Sequence, residues 1–190
     1  KKNCATKKQL TIKWKVATKD NKIEEKILEE LLSRIPNNVR FRIDANGSWD
    51  RKCAQRWIDI LSNNNNLDWL EQPLQEDDIE GLKILGKKIP IALDESLIKY
   101  PNLCNTWEGW QIRRPSQEKN PIDLLNALEK KKRFISISSS FETGIGRRLL
   151  YHFSNIQLLG PTPKVPGLAL QQMPKTILFK NNPREIWDNL

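Results

Sequence analysis

VRFRIDAN at positions 39–46 is the first of three stretches in which a short apolar run ends in an acidic residue. LDWLEQP at positions 67–73 and IPIALDES at positions 89–96 repeat the pattern. The acidic residues lie 27 and 23 residues apart, about the length of one strand–helix unit. Because the carboxyl ends of parallel strands meet at one edge of a sheet or barrel, we expect the three carboxylates to converge.

Amphipathic stretches separate these strand-like runs and continue beyond them. Apolar residues recur at helical spacing over residues 21–34, and Ser48 or Asp50 is placed to cap a helix that ends near Leu61. Further helices are expected over residues 77–86, 120–131 and 143–153, and further strands over residues 10–16, 109–113, 134–138 and 156–159. Alternating strands and helices predict a parallel sheet.

The expected strands number about seven, whereas a closed (β/α)8 barrel has eight and is typically about 250 residues long. We therefore predict an α/β fold, an incomplete (β/α)8-type TIM barrel that forms a single domain over residues 1–190. An open doubly wound sheet is the alternative. The chain contains no GxGxxG or GxxxxGK[ST] phosphate loop that would favour it.

Composition places the chain among ordinary globular proteins, with 38% hydrophobic and 29% charged residues. The sequence contains no run of about 18 apolar residues, so no transmembrane helix is predicted. The three cysteines, Cys4, Cys53 and Cys104, are odd in number and lack paired metal-ligand spacing. We expect reduced thiols and a cytoplasmic location.

The net charge of +9 raises the question of nucleic-acid binding. Lysine and arginine residues are spread along the chain, and the densest run, Lys130 to Arg133, ends a predicted helix where cations suit the helix dipole. A solvated surface is therefore favoured over a nucleic-acid patch. We expect a small-molecule partner, no nucleic acid and no membrane, and nothing in the sequence specifies an oligomeric state.

The three carboxylates, Asp44, Glu71 and Asp94, supply the hard oxygen ligands that Mg²⁺ prefers. An acidic residue after a strand is often only a helix cap or a turn residue. Three of them in successive strand–helix units favour a metal site instead.

Two lysines, Lys13 and Lys15, alternate along the first predicted strand and therefore point to one face. On an inner barrel face they are costly unless they face a functional cavity, and the alternative is a solvent-facing edge strand. A nearby divalent cation lowers a lysine's affinity for its proton, which suits Lys15 to act as a general base.

These motifs, in this order and spacing, resemble those of the enolase superfamily, muconate-lactonising subgroup. The motifs are Lys13-x-Lys15, Asp44-x-Asn46, Glu71-x-Pro73 and Asp94-Glu95-Ser96. Two later segments, SSSFETGIG at positions 138–146 and Pro166-Gly167-Leu168, are similar to the o-succinylbenzoate synthase family of menaquinone and phylloquinone biosynthesis. The resemblance covers nearly the whole chain.

The resemblance implies roles for individual residues. Asp44, Glu71 and Asp94 match the ligands of Mg²⁺, with Mn²⁺ as a possible substitute. Lys15 matches the base that removes a proton α to a carboxylate, and Lys13 matches a residue that orients or polarises the substrate. The implied substrate-binding residues are Asn46, Ser138 and Gly167, with Glu95 as a neighbouring support.

The implied activity is that of a carbon–oxygen lyase. The metal stabilises an enediolate, and the same lysine then helps a hydroxyl group leave as water. The implied reaction converts 2-succinyl-6-hydroxy-2,4-cyclohexadiene-1-carboxylate into 2-succinylbenzoate, and aromatisation of the ring favours the product.

Two departures from the family pattern bear on this reading. Arg114 stands where the family has a second active-site lysine, and arginine is a poor base because it stays protonated. Dipeptide epimerases and N-acylamino acid racemases need two bases, so Arg114 argues against them, whereas a dehydration needs only a cation over the planar intermediate. A surface arginine beside Pro115 is the alternative.

The second departure is that the family's first barrel strand and N-terminal α+β capping domain are not visible before Lys13. The capping domain excludes water and helps to select the substrate. A non-catalytic remnant, or a basic nucleic-acid-binding module, is therefore the alternative to an enzyme.

Overall fold

A computed structural model describes residues 9–169 and 174–189. They form two compact units, one ending at Gly109 and the other beginning at Trp110. Each unit is built from parallel strands followed by helices, which confirms the predicted α/β class. The single domain expected over residues 1–190 stays a prediction.

The first unit contains four parallel strands that pair in chain order. They are β1 (Leu10–Lys15), β2 (Val39–Asp44), β3 (Leu67–Glu71) and β4 (Ile91–Leu93). The connecting helices are α1 (Asn21–Arg34), α2 (Arg51–Leu61) and α3 (Ile79–Gly86), followed by the short helices α4 (Glu95–Lys99) and α5 (Leu103–Thr106). The register sets Lys15 opposite Asp44, and Asp44 opposite Glu71, so the strand ends are level.

Aspartate side chains begin the helices of this unit. Asp50 accepts a hydrogen bond from Cys53 N at 2.7 Å, so Asp50 rather than Ser48 caps α2. Asp78 caps α3 in the same way, through Gly81 N at 2.9 Å. Each cap satisfies a helix amide that has no partner within the helix.

The core of the first unit lies between the sheet and its helices. Trp57 of α2 is completely buried, and its ring centroid lies 4.6 Å from that of Trp49 and 5.9 Å from that of Trp14. Trp14 alternates with the two lysines along β1 and therefore packs toward the helices. The lysines are left on the opposite face.

The amphipathic face of α1 differs from the one that its apolar spacing suggests. Ile23 and Ile27 are about half exposed, whereas Glu24 is buried. The Glu24 carboxylate accepts hydrogen bonds from the three backbone amides of residues 17–19, at 2.7–3.2 Å. It thereby holds the turn after β1, in which Ala17 adopts a left-handed φ of 60°.

Cys53 gives a first testable prediction. Burial raises the pKa of this thiol to about 11, from an ordinary value of 9.0. The thiolate is the reactive form, so alkylation of Cys53 by iodoacetamide at pH 8 should be about 100-fold slower in the folded chain than in urea. Peptide mass spectrometry measures both rates, and equal rates would contradict the buried placement.

The second unit contains a shorter parallel pair and its helices. Strand β5 (Trp110–Arg113) pairs with β6 (Ile135–Ile137), and α6 (Pro121–Glu129) connects them. Helix α7 (Gly144–Leu158), a 3-10 turn (Ile177–Phe179) and α8 (Pro183–Trp187) follow. Its core is formed by Leu124, Leu128, Ile135, Ile137, Leu150 and Phe153.

One predicted strand is wrong. Residues 156–159, expected as a last strand, instead belong almost entirely to α7, which continues to Leu158. Leu150, Phe153 and Gln157 are buried at helical spacing, so the buried face of the helix continues through Gln157, whereas Leu158 and Leu159 are exposed. The described residues therefore contain six strands rather than about seven. No helix in the described ranges is long and apolar enough to cross a membrane.

Candidate metal centre

Three buried carboxylates lie at the carboxyl ends of neighbouring strands in the first unit. Asp44 ends β2, Glu71 ends β3 and Asp94 directly follows β4, and each is 1% exposed. Lys13 and Lys15 of the adjacent strand β1 reach toward the same carboxylates. The structure thus brings these five predicted site residues to one end of the four-stranded sheet.

Lys13 lies between two of the carboxylates. Its Nζ is 2.8 Å from Asp44 Oδ2 and 2.7 Å from Glu71 Oε1. Burial alone would lower the pKa of Lys13, but the attraction of Glu71 and Asp44 outweighs it and raises this pKa above the ordinary value. Two carboxylate oxygens on different strands therefore already share one cation.

Lys15 occupies a more open position at the rim. Its Nζ is 3.6 Å from Asp44 Oδ2 and donates a hydrogen bond to Asn46 Oδ1 at 2.9 Å. The Lys15 side chain is 62% exposed, against 35% for Lys13. Asn46 in turn donates through Nδ2 to Glu95 Oε1 at 2.8 Å, so Lys15, Asn46 and Glu95 form one chain of contacts.

The centre carries an excess of negative charge. Burial raises the pKa of Glu71 to about 7; Lys13 opposes this shift, whereas the charges of Asp44 and Asp94 add to it. Two ammonium groups, Lys13 and Lys15, face the three buried carboxylates, so one negative charge is left over when all five groups are ionised. Such a surplus favours the binding of a further cation.

A second layer beneath the carboxylates was not anticipated from the sequence. Trp69 Nε1 donates to Glu71 Oε2 at 3.3 Å, and the Arg42 guanidinium carbon lies 3.9 Å from the centroid of the Trp69 ring. Arg42 is buried and pairs with Asp68, Nε to Oδ2, at 3.3 Å. The signal was present: Arg40 and Arg42 alternate with apolar residues on a strand that ends in Asp44.

The remaining predicted residues belong to the second unit. Ser138 follows β6, and its Oγ donates to Gly167 O at 3.2 Å. A Cβ on Gly167 would lie 3.0 Å from Ser138 Oγ, so a larger residue there would crowd the Ser138 side chain. The structure thus brings Ser138 and Gly167 together. Arg114 is half-buried and directly follows β5: the carbonyl of the preceding residue, Arg113, accepts a hydrogen bond from Ser138 N at 2.9 Å.

The three carboxylates offer the donor chemistry of a divalent-cation site. In residues 9–169 and 174–189, no three His, Cys, Asp or Glu side chains are close enough to share one metal ion as they stand. The donor chemistry fits nonetheless, because hard oxygens from three strand ends face one region and two of them already contact one ammonium. Glu95 Oε2 is also buried without a hydrogen-bond partner among the described residues.

Acidic side chains lie at the ends of parallel strands here, and lysines lie on the neighbouring strand. This arrangement is typical of α/β enzymes whose active site lies at the carboxyl ends of the strands. A family model described as enolase C-terminal domain-like matches residues 5–104. The chain therefore belongs to this family, within the enolase superfamily.

Known relatives include enzymes of more than one activity. An o-succinylbenzoate synthase of Thermosynechococcus vestitus is 32% identical over 154 residues, which cover 76% of this chain and 48% of the relative. A hydrophobic dipeptide epimerase of a Flavobacteria bacterium is 47% identical over 60 residues, or 30% of this chain and 17% of that protein. The chain thus spans about half the length of the synthase.

A solved structure shares the fold along almost the whole chain. The o-succinylbenzoate synthase of Thermosynechococcus elongatus BP-1, crystallised with magnesium in its active site, matches with a TM-score of 0.77 and 27% identity. The match covers 96% of this chain and 60% of that one. The six parallel strands therefore correspond to part of a TIM barrel.

Proposed function

We propose that the protein binds Mg²⁺ through Asp44, Glu71 and Asp94 and acts as an o-succinylbenzoate synthase-like dehydratase. The observation that carries the proposal is the Lys13 ammonium shared by the buried Asp44 and Glu71 carboxylates at two strand ends. This arrangement binds a cation beside a second lysine. The similarity to two o-succinylbenzoate synthases supports the choice of reaction.

Lys15 is the proposed general base. Its ammonium group lies at the open rim, 3.6 Å from Asp44 Oδ2, and Asn46 Oδ1 orients it at 2.9 Å. In its neutral form it takes the proton α to the substrate carboxylate, and it then returns that proton to the leaving hydroxyl, which departs as water. The bound cation would supply positive charge that makes the α proton more acidic. Lys13 keeps Asp44 and Glu71 in place.

The similarity to the synthases also suggests roles for Ser138, Gly167 and Arg114. Ser138 and Gly167 are proposed to bind the succinyl carboxylate, and their mutual contact at 3.2 Å supports a shared role. Arg114 is proposed to place a permanent positive charge over the planar intermediate. A small-molecule carboxylate is the expected partner.

Epimerisation of a dipeptide is the second candidate. The similarity to a hydrophobic dipeptide epimerase, 47% identical over 60 residues, supports this candidate. Epimerisation needs a base on each face of the substrate. Arg114, in the position where a second lysine would serve, is a poor base and disfavours this reaction.

One experiment separates the two reactions. With Mg²⁺ present, we expect formation of 2-succinylbenzoate from its cyclohexadiene precursor and no deuterium incorporation into dipeptides in D₂O. EDTA should abolish turnover and added Mg²⁺ should restore it. Dipeptide exchange without dehydration would replace the first proposal by the second. No turnover in either assay, together with no Mg²⁺ binding, would support a non-catalytic protein.

A further inference from the structure

Gln72 has an unusual backbone conformation beside the candidate centre. It directly follows Glu71, and its φ of 36° lies in the left-handed region, which side chains other than asparagine and aspartate rarely adopt. Gln72 N donates to Ala92 O at 2.8 Å, and Gln72 O accepts from Gly47 N at 2.7 Å. The residue therefore joins the ends of β2, β3 and β4 through its main chain alone.

The side-chain amide of Gln72 is completely buried and forms four hydrogen bonds. Oε1 accepts from Asp94 N at 3.0 Å and from Ser96 N at 3.2 Å. Nε2 donates to Leu74 O at 3.0 Å and to Ser96 Oγ at 2.7 Å. The orientation of the amide is fixed by these partners, because the backbone N–H groups only donate and Leu74 O only accepts.

These contacts give Gln72 the capping role that usually belongs to the first residue of a helix. Asp94 is the N-cap of α4 but makes no side-chain capping hydrogen bond. Gln72 Oε1 instead satisfies Asp94 N and Ser96 N at the start of this helix. The Asp94 carboxylate therefore takes no part in capping α4. The Asp94 backbone is instead held by Gln72, the residue that follows Glu71.

We propose that Gln72 is the positioning residue that fixes the separation of Glu71 and Asp94 and thereby sets the selectivity of the centre for Mg²⁺. The inference rests on the proposed metal centre and deepens it. Mg²⁺ requires nearly ideal octahedral geometry with short bonds, whereas Ca²⁺ tolerates irregular coordination at longer distances. A loosened Asp94 backbone should consequently weaken Mg²⁺ binding more than Ca²⁺ binding.

The test compares the two ions in the same variant. Gln72→Met keeps the length of the side chain and removes all four hydrogen bonds. We expect its Mg²⁺ affinity to fall about 10–100-fold, the usual effect of losing a residue that supports a ligand. Ca²⁺ affinity should change much less. Calorimetric titration measures both affinities, and near-ultraviolet circular dichroism monitors folding.

A purely structural role predicts a different result. Destabilisation reduces the folded fraction and weakens Mg²⁺ and Ca²⁺ binding by the same factor. Equal losses, or no loss, in a folded Gln72→Met variant would overturn the inference. Gln75→Met is the matched control, because Gln75 is an exposed glutamine three residues along the chain, and its affinities should equal those of the unsubstituted protein.

If Gln72→Met does not fold, Ser96→Ala provides a second test of the positioning role of Gln72. It removes only the hydroxyl that accepts from Gln72 Nε2 and donates to Glu76 O, at 3.0 Å. The expected loss is about fivefold for Mg²⁺, the equivalent of one neutral hydrogen bond, with Ca²⁺ little changed. Equal effects on both ions would contradict the inference. If the unsubstituted protein binds neither ion, the proposed metal centre itself fails.

Discussion

Replacing Lys15 by alanine is expected to lower kcat of the proposed dehydration about 10²–10⁴-fold, the range that a general base contributes. Lys15→Arg should lose as much, because arginine keeps the charge but does not release its proton. Mg²⁺ affinity should stay nearly unchanged in both variants, since Lys15 is exposed and Lys13 is the lysine that holds the carboxylates. Steady-state kinetics and calorimetric Mg²⁺ titration measure the two properties separately.

Lys26→Ala is the matched control for this prediction. Lys26 is an exposed lysine of α1, so its removal changes the net charge equally and should leave turnover unaffected. Near-normal turnover of Lys15→Ala would remove Lys15 from the role of base. Activity in Lys15→Arg but not in Lys15→Ala would show that Lys15 acts through its charge.

Glu71→Gln has the second large expected effect, on metal binding. An amide oxygen carries no negative charge, so Mg²⁺ affinity should fall by more than about 100-fold, beyond the loss caused by a residue that only supports a ligand. Calorimetric titration with Mg²⁺ measures this loss. Retained Mg²⁺ binding would exclude Glu71 as a ligand.

The same substitution should change how the stability of the metal-free protein depends on pH. Glu71 has a pKa of about 7 in the folded protein, above its ordinary 4.5. Its contribution to stability is therefore complete below about pH 4.5, declines as the pH rises, and is lost above about pH 7. In Glu71→Gln this decline, on the order of 3 kcal/mol in the free energy of unfolding, should be absent.

Urea unfolding in EDTA at pH 4.5 to 8 measures the effect. Glu80→Gln, at an exposed position of α3, is the control and should keep the pH profile of the unsubstituted protein. An unchanged profile in Glu71→Gln would mean that other groups cause the pH dependence.

Much of the fold followed from periodicity and capping. Helix α1 begins and ends where its apolar spacing predicts, because the spacing is regular and Asp20 caps its first turn. The proposed metal ligands Asp44 and Glu71 lie together for a general reason: neighbouring parallel strands of similar length end at the same level.

Other features depend on contacts that no local pattern records. Residues 156–159 form a short apolar run that a strand could also contain, and the burial of Phe153 and Gln157 on one helix face agrees with the helix that forms instead. The polar network of Gln72 joins residues 22 and 24 positions apart, so sequence spacing gives no sign of it. Glu24 has the character of a surface residue until the turn after β1 folds around it.

That turn also has a consequence for attempts to give the protein a new substrate. Three successive amides converge on the Glu24 carboxylate directly after the strand that carries Lys15. Insertions there would leave a desolvated anion without donors, which costs several kcal/mol, and would also disturb Lys15, the proposed base. Directed evolution of specificity is better begun in residues 98–106. This segment contains parts of two short helices and mostly exposed side chains, so substitutions there would leave the amide contacts to Glu24 intact.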